Sequence, residues 1–259
     1  LLTVLLGALG IFLAWRIAFL VFPERGWIAG AVGAFMAAQP MYVHICSSVG
    51  NDPPATVAVG FVLLMALLIL RHGPTTRRCA LLGLALALGA LTKASALAVL
   101  PVALLAVIWA AGRRHEPEPG ETYLTDWARR VWAIDWPAAL KCLGAALGVL
   151  AVVAGWWYAR NAMLYGTISP FPANMEKQVP WEAYLLRPDL LARILGIALP
   201  MTFRNFWAGF AWTNIAAPAW VYWLLLALVV PALPGLVTLV VDAKRNRLDW
   251  SLPQVRGVW

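Results

Sequence analysis

Carboxylates are scarce in this chain. It carries 12 acidic residues in 259, and between Glu24 and Glu116 the only one is Asp52. Charged residues of both signs make up 12% and hydrophobic residues 62%, which is far from the makeup of a soluble domain and excludes an ordinary water-facing surface. Cysteine is rarer still. Cys46, Cys79 and Cys142 stand singly at expected helix ends, so neither a disulfide framework nor a metal cluster follows, and packing is the usual role of such thiols. No basic stripe with interleaved aromatics marks a nucleic-acid partner. There is no internal repeat of fixed period and no low-complexity tract. A transporter finds little support, because no inverted pair of broken helices and no carboxylate–cation relay lies inside the apolar runs.

What the chain does have is long apolar runs, 15 tryptophans and a mean hydropathy of +0.76. A transmembrane helix needs about 20 mostly apolar residues. Seven segments meet or approach that need, at 1–22, 27–46, 55–71, 79–93, 94–112, 139–158 and 218–241. The expected fold class is an all-α integral membrane protein with these seven helical segments, a long outer loop and interfacial helices. Residues 79–112 are too long for one span at about 1.5 Å per residue, and Thr92-Lys93 interrupts them, so two short helices with Lys93 at the tip are expected. A polytopic domain over 1–241 and a cytoplasmic tail over 242–259 complete the organisation.

Charge sets the expected orientation. With the amino terminus outside, Arg16, Arg25, Arg71, Arg77, Arg78 and Lys141 are among 14 basic residues on the inside, and only Lys93, Arg160, Lys177, Arg187, Arg193 and Arg204 fall outside. The positive-inside rule favours this arrangement, with the carboxy terminus cytoplasmic in a plasma (inner) membrane. The net charge of +8 then serves orientation and attraction to anionic lipid headgroups. The chain opens "LLTVLLGALG", without methionine or a basic leader and already inside an apolar run, so a fragment is expected.

Two longer polar regions separate the spans. In the inner one, 112–137, Trp127, Val131 and Ile134 recur at helical spacing behind Thr125-Asp126, as in an interfacial helix. The outer one, about 159–217, holds "RPDLLARILGIALP", expected as a surface helix capped by Asp189 and stopped by Pro200. It also holds "TFRNFWAGFAWTN", where Phe203, Phe206, Trp207, Phe210 and Trp212 form an aromatic stripe beside Asn205 and Asn214. That stripe reads either as a membrane-resting helix or as a lid over Asp52, with aromatic faces for sugar rings and asparagines for hydroxyls.

The polar break "SSVGNDPPA" at 47–55 places Asn51 and Asp52 at the outer mouth between two spans. One reading is a plain turn, since Asn and Asp favour turns and proline starts helices. The other is a site, because His44, Lys93 and "WWYARNAMLYG" at 156–166 share that membrane face, and ionisable residues at a membrane rim are functional candidates.

The run from "QPMYVHICSSVGNDPPATVAVG" to "LTKASALAVLP", followed by "WWYARNAMLYGTISPF" and "TFRNFWAGFAWTNIAAPAWVY", resembles polytopic GT-C glycosyltransferases. The two later stretches resemble a bacterial branch of that superfamily, of unknown function, and such proteins are similar to protein mannosyltransferases and lipid A aminoarabinose transferases. The resemblance implies a cell-envelope hexosyl or pentosyl transferase that moves a sugar, with inversion, from a polyprenyl-phosphate donor to an acceptor on the outer face. It implies that Asp52 shapes the acceptor site or a divalent-metal site, that Lys93 and Arg160 hold the donor phosphate, and that Asn161 and Tyr165 support them. His44, Asn51, Asn205 and Trp207 join them as substrate-binding candidates. The usual GT-C base is an aspartate in the first outer loop, after a first helix that precedes the point where this chain begins. Either that preceding part supplies the base or the chain is not catalytic by itself, and Asp52 is the one candidate within it. The alternative class is a non-catalytic membrane subunit that reuses the scaffold within a larger membrane complex.

Overall fold

The computed structural model describes residues 1–112, 134–168, 188–210, 215–231 and 234. It is an all-α membrane protein. In order, the helices are α1 Leu2–Val21, α2 Gly26–Ala38, α3 Pro40–Ser47, α4 Asp52–His72, α5 Thr76–Thr92, a 3-10 segment Ala94–Val99, α6 Leu100–Ala110, α7 Trp136–Tyr165, α8 Pro188–Arg193, a π-helical turn Ile194–Ala198, α9 Leu199–Ala208 and α10 Ala219–Val229. A two-residue hairpin, β1 Gly209–Phe210 with β2 Ile215–Ala216, separates the last two helices.

Among the described residues, α1, α4 and α7 are each long and apolar enough to cross a membrane as single helices. The 20 residues of α1 span about 30 Å at 1.5 Å per residue, the thickness of a bilayer core. The 30 residues of α7 exceed it, and the helix runs to Tyr165, beyond the expected end at 158, before Gly166 closes it in a left-handed conformation at φ 71°. Arg160, Asn161 and Tyr165 therefore stand on a helix rather than in a loop.

The segment expected as one span at 27–46 is broken. Pro40 cannot continue α2, and the preceding Gln39 takes extended backbone (φ −72°, ψ 117°). The Gln39 side chain then caps α3 by accepting from the Tyr42 N–H at 2.6 Å, and the two helix axes differ by 62°. The break at Lys93 appears as expected: its backbone is extended at φ −157°, with α5 ending before it and a 3-10 turn following. The seventh segment is helical over Ala219–Val229. Pro200 does not stop a helix but lies in the first turn of α9, where a missing N–H costs nothing. The interfacial helix expected around Trp127 and Val131, the tail 242–259, Trp212 and Asn214 lie outside the described residues.

Helix contacts fix the directions. Leu13 of α1 packs at Gly60 of α4, and Arg71 of α4 donates to the Leu20 carbonyl at 3.0 Å, so α1 and α4 run parallel. That guanidinium covers an α1 carbonyl without a helical partner. Tyr42 of α3 donates to the Gly7 carbonyl at 2.7 Å, and Gly33 of α2 faces Trp15 and Ile11, so α2–α3 return antiparallel to α1. In α5 and α7, Gly83 meets Ala146 and the Tyr158 hydroxyl donates to the Ala90 carbonyl at 2.8 Å, so these two run parallel. The Asp135 N–H bonds the Ala111 carbonyl at 3.1 Å, bringing the end of α6 to the start of α7. Asp52 and Lys93 thus share one end of the bundle with the end of α7, while Arg16, Arg71, Arg77, Arg78 and Lys141 gather toward the other.

The core lies between α4, α5, α6 and α7, where Val62, Ile69, Leu82, Leu86, Val107 and Ala146 are buried. Small residues set its closest contact, as is usual where the hydrophobic effect does not drive helices together. A Cβ on Gly83 would stand 2.2 Å from the Ala146 carbonyl oxygen, whereas Gly144 of α7 has open space beside it. Gly83→Leu is therefore expected to lower stability by at least about 2 kcal/mol through overpacking against backbone. Gly144→Ala is expected to be neutral or stabilising by a few tenths of a kcal/mol through helix propensity alone. Reversible unfolding of the purified variants in detergent checks both signs.

Candidate functional site

The polar end is assembled where α4 begins and α5 ends. Asp52 does not sit in an open turn: it is the first residue of α4, with Pro53 and Pro54 in the first turn, and a carboxylate there is favoured by the positive end of the helix dipole. Lys93 stands at the chain break after α5, its N–H bonded back to the Gly89 carbonyl at 2.9 Å, so its backbone is held while its four-methylene side chain reaches outward. The Lys93 ammonium donates to the Asp52 carboxylate in an ion pair across 41 residues of sequence. Beside it the Asn51 side-chain amide donates to the Thr92 carbonyl at 3.2 Å. Lys93 and Asp52 are 41% and 44% exposed, so water and solutes reach both partners.

The α7 candidates divide by environment. Arg160 is exposed and lies over the Trp157 indole, 5.5 Å from guanidinium carbon to ring centroid. Tyr165 is exposed at the last turn. Asn161 is 1% exposed, and among the described residues neither polar atom of its side chain has a hydrogen-bond partner. A buried amide in that state costs about 1–3 kcal/mol, so its interactions with α7's surroundings are incomplete.

The remaining candidates cluster around the α2–α3 bend. His44 on α3 meets the Phe210 ring edge-on at 5.1 Å, and the Gln39 side-chain amide donates to the Phe206 carbonyl at 2.6 Å. The helical stripe is seen at Phe203, Phe206 and Trp207, but Phe210 has left the helix for β1. Trp207 is 5% exposed, boxed by Phe35, Phe203 and Phe206 at 5.6, 6.2 and 5.1 Å between centroids. Its ring faces are taken up by protein, and Phe206, 62% exposed, is the ring of this helix open to a ligand. Asn205 is half-buried under Gly209, where a Cβ would come within 2.7 Å of it.

Asp52, Asn51 and Lys93 are therefore joined directly; Arg160, Asn161 and Tyr165 share their end of the bundle on α7; and His44, Asn205 and Trp207 belong to the α3–α9 contact. Sequence reasoning missed Thr92, Tyr158, Gln39 and Phe35. Gln39 had a readable signal, an amide just before a proline inside an apolar run. Tyr158 and Phe35 had none, because their partners are set by packing alone.

Among the described residues, the donor set around Asp52 does not by itself make up a divalent-ion site. Among the described residues no three His, Cys, Asp or Glu side chains converge, and the Asp52 carboxylate is already engaged by an ammonium. Hard cations need several oxygen ligands.

Residues 1–124 match the family model of dolichyl-phosphate-mannose-protein mannosyltransferases. No curated protein and no solved structure matches the chain.

A half-exposed ion pair contributes little to folding, because its Coulomb gain is screened by water. In a cycle of Asp52→Asn, Lys93→Gln and the double variant, the coupling energy for unfolding in detergent is expected to stay below about 1 kcal/mol. A larger value would make the pair a structural fastening of α4 to α5.

Proposed function

We propose that the chain is a membrane glycosyltransferase of the GT-C type, a reading supported by the match of residues 1–124 to the protein mannosyltransferase family model, and that it moves a sugar from a polyprenyl-phosphate donor to an acceptor hydroxyl at the Asp52–Lys93 end of the bundle. The observation that carries this reading is the juxtaposition of Asp52 and Lys93, one acid and one cation brought together from distant positions at a membrane rim.

The chemistry asks for two groups. An acceptor oxygen attacking the sugar's anomeric carbon must lose its proton, and the Asp52 carboxylate is the base in reach of that rim. As the bond between the anomeric carbon and the phosphate oxygen breaks, its electron pair leaves on phosphate. Lys93, with Arg160 on α7, neutralises the developing charge, an effect strengthened by partial desolvation. Asn51, Asn161 and Tyr165 offer hydrogen bonds to donor or acceptor, and Phe206 offers a ring face to a sugar. His44, Asn205 and Trp207 shape the wall behind that ring. No step is routed through a metal. One observation favours a second reading, a non-catalytic membrane subunit on the same scaffold: the Asp52 carboxylate is already occupied by Lys93.

We orient the Asp52–Lys93 end outward in a plasma membrane, amino terminus of the chain outside, because the arginine-rich end of the bundle suits the cytoplasmic face. A single cysteine replacing Arg77 is expected to react with an impermeant thiol reagent only after sealed cells are opened; reaction from outside reverses the topology.

Lys93→Ala and Arg160→Ala are each expected to weaken polyprenyl-phosphate binding about tenfold, the loss of one charge-assisted contact. Asp52→Asn is expected to reduce sugar transfer at least about 100-fold, the scale of a lost general base. Lipid-phosphate titration and a transfer assay on the full-length protein measure these. Equal affinity in wild type and the double cation variant excludes the donor site, and undiminished transfer in Asp52→Asn excludes its role as base.

A further inference from the structure

The carboxylate and the cation that the proposed reaction needs are bonded to each other, so neither is free for its task as the chain stands. We propose that the Asp52–Lys93 pair is a latch opened by the donor: the lipid phosphate takes Lys93, and the carboxylate becomes available as a base only once the donor is bound. This rests on the reading of Lys93 as a phosphate ligand.

Four features support an exchange of partners. Both side chains are close to half exposed, and such pairs are held weakly. The donor's phosphodiester carries a full negative charge on two free oxygens, as a carboxylate does, so it competes with Asp52 for an ammonium. The Lys93 backbone is anchored by its N–H to the Gly89 carbonyl, leaving the long flexible side chain to swing without disturbing α5. Finally, the ends of α4 and α5 remain tied when the pair opens, because the Asn51 amide still holds the Thr92 carbonyl.

The carboxylate also survives the loss of its partner as an anion. Asp52 occupies the first turn of α4, where the unpaired N–H groups of a helix start favour negative charge. After the exchange, Asp52 is an ionised acceptor with no ammonium against it, the state in which it can take a proton from a hydroxyl. The latch imposes an order, donor before acceptor, and keeps the base covered while no sugar is present to transfer.

The sign of one substitution tests this. In the full-length protein, titrated with a short-chain polyprenyl phosphate, Asp52→Asn is expected to tighten binding about twofold to fivefold, since the competitor for Lys93 is gone. Lys93→Gln is expected to weaken it. In the Lys93→Gln background, Asp52→Asn is expected to change nothing, which separates release of Lys93 from a general loss of negative charge. Asp52→Ser gives the same comparison if the asparagine variant does not fold. Weaker binding by Lys93→Gln without tightening by either Asp52 variant overturns the latch and leaves the donor site standing. Tightening that persists in the Lys93→Gln background also overturns the latch. No effect of Lys93→Gln overturns both the latch and the donor site.

Discussion

The backbone approach between α5 and α7 at Gly83 governs where the polar end of this molecule lies. Lipid does not drive apolar helices together, so their association depends on close fit. Here the fit is backbone against backbone, with the Gly83 Cα facing Ala146 and no room for a side chain. That contact and the Tyr158 bond to the Ala90 carbonyl set the register of α5 against α7. Register in turn decides that the Lys93 break falls at the end of α7 carrying Arg160 and Asn161. Packing of α5 on α4 then brings the same break to the start of α4, where Asp52 waits.

Burial and exposure divide the labour between the two ends of the bundle. At one end Arg71 is 8% exposed and spends a hydrogen bond on the last turn of α1, a structural use of a cation that α1's free carbonyls invite. At the other end Lys93 keeps contact with water and holds the Asp52 side chain, which can release it. The difference follows from position. An arginine inserted between helices serves as a fixed fork of donors, whereas a lysine at a chain break is a mobile point charge. The second kind suits the phosphate leaving group of the reaction proposed above.

The α9 helix shows how amphipathic spacing misleads about availability. The stripe Phe203, Phe206, Trp207 does share one helix, yet the largest ring turns inward against Phe35 while Phe206 faces out. Both arrangements satisfy the same helical periodicity, because spacing names a face and not what covers it. Cover came from α2, whose Phe35 packs edge-on against Trp207, and from the Gln39 amide at its end, which bonds the Phe206 carbonyl of α9.

The amino-acid sequence by itself determined that this is a helical membrane protein, where most of its apolar helices run, that the chain breaks at Lys93, and that Asp52 is the lone acid of a long apolar stretch. Each of these is local: apolar length, a proline, a charge in the middle of a leucine run. The bend at Gln39, the helical setting of Asp52 and Arg160, the burial of Asn161 and Trp207, and the pairing of Asp52 with Lys93 were decided by tertiary structure. The pairing joins residues 41 positions apart, and no periodicity connects them. It exists because α4 and α5 pack antiparallel, bringing the start of one helix to the end of the other, and the choice of facing partner rests on shape and contact between helices, which a linear pattern does not contain.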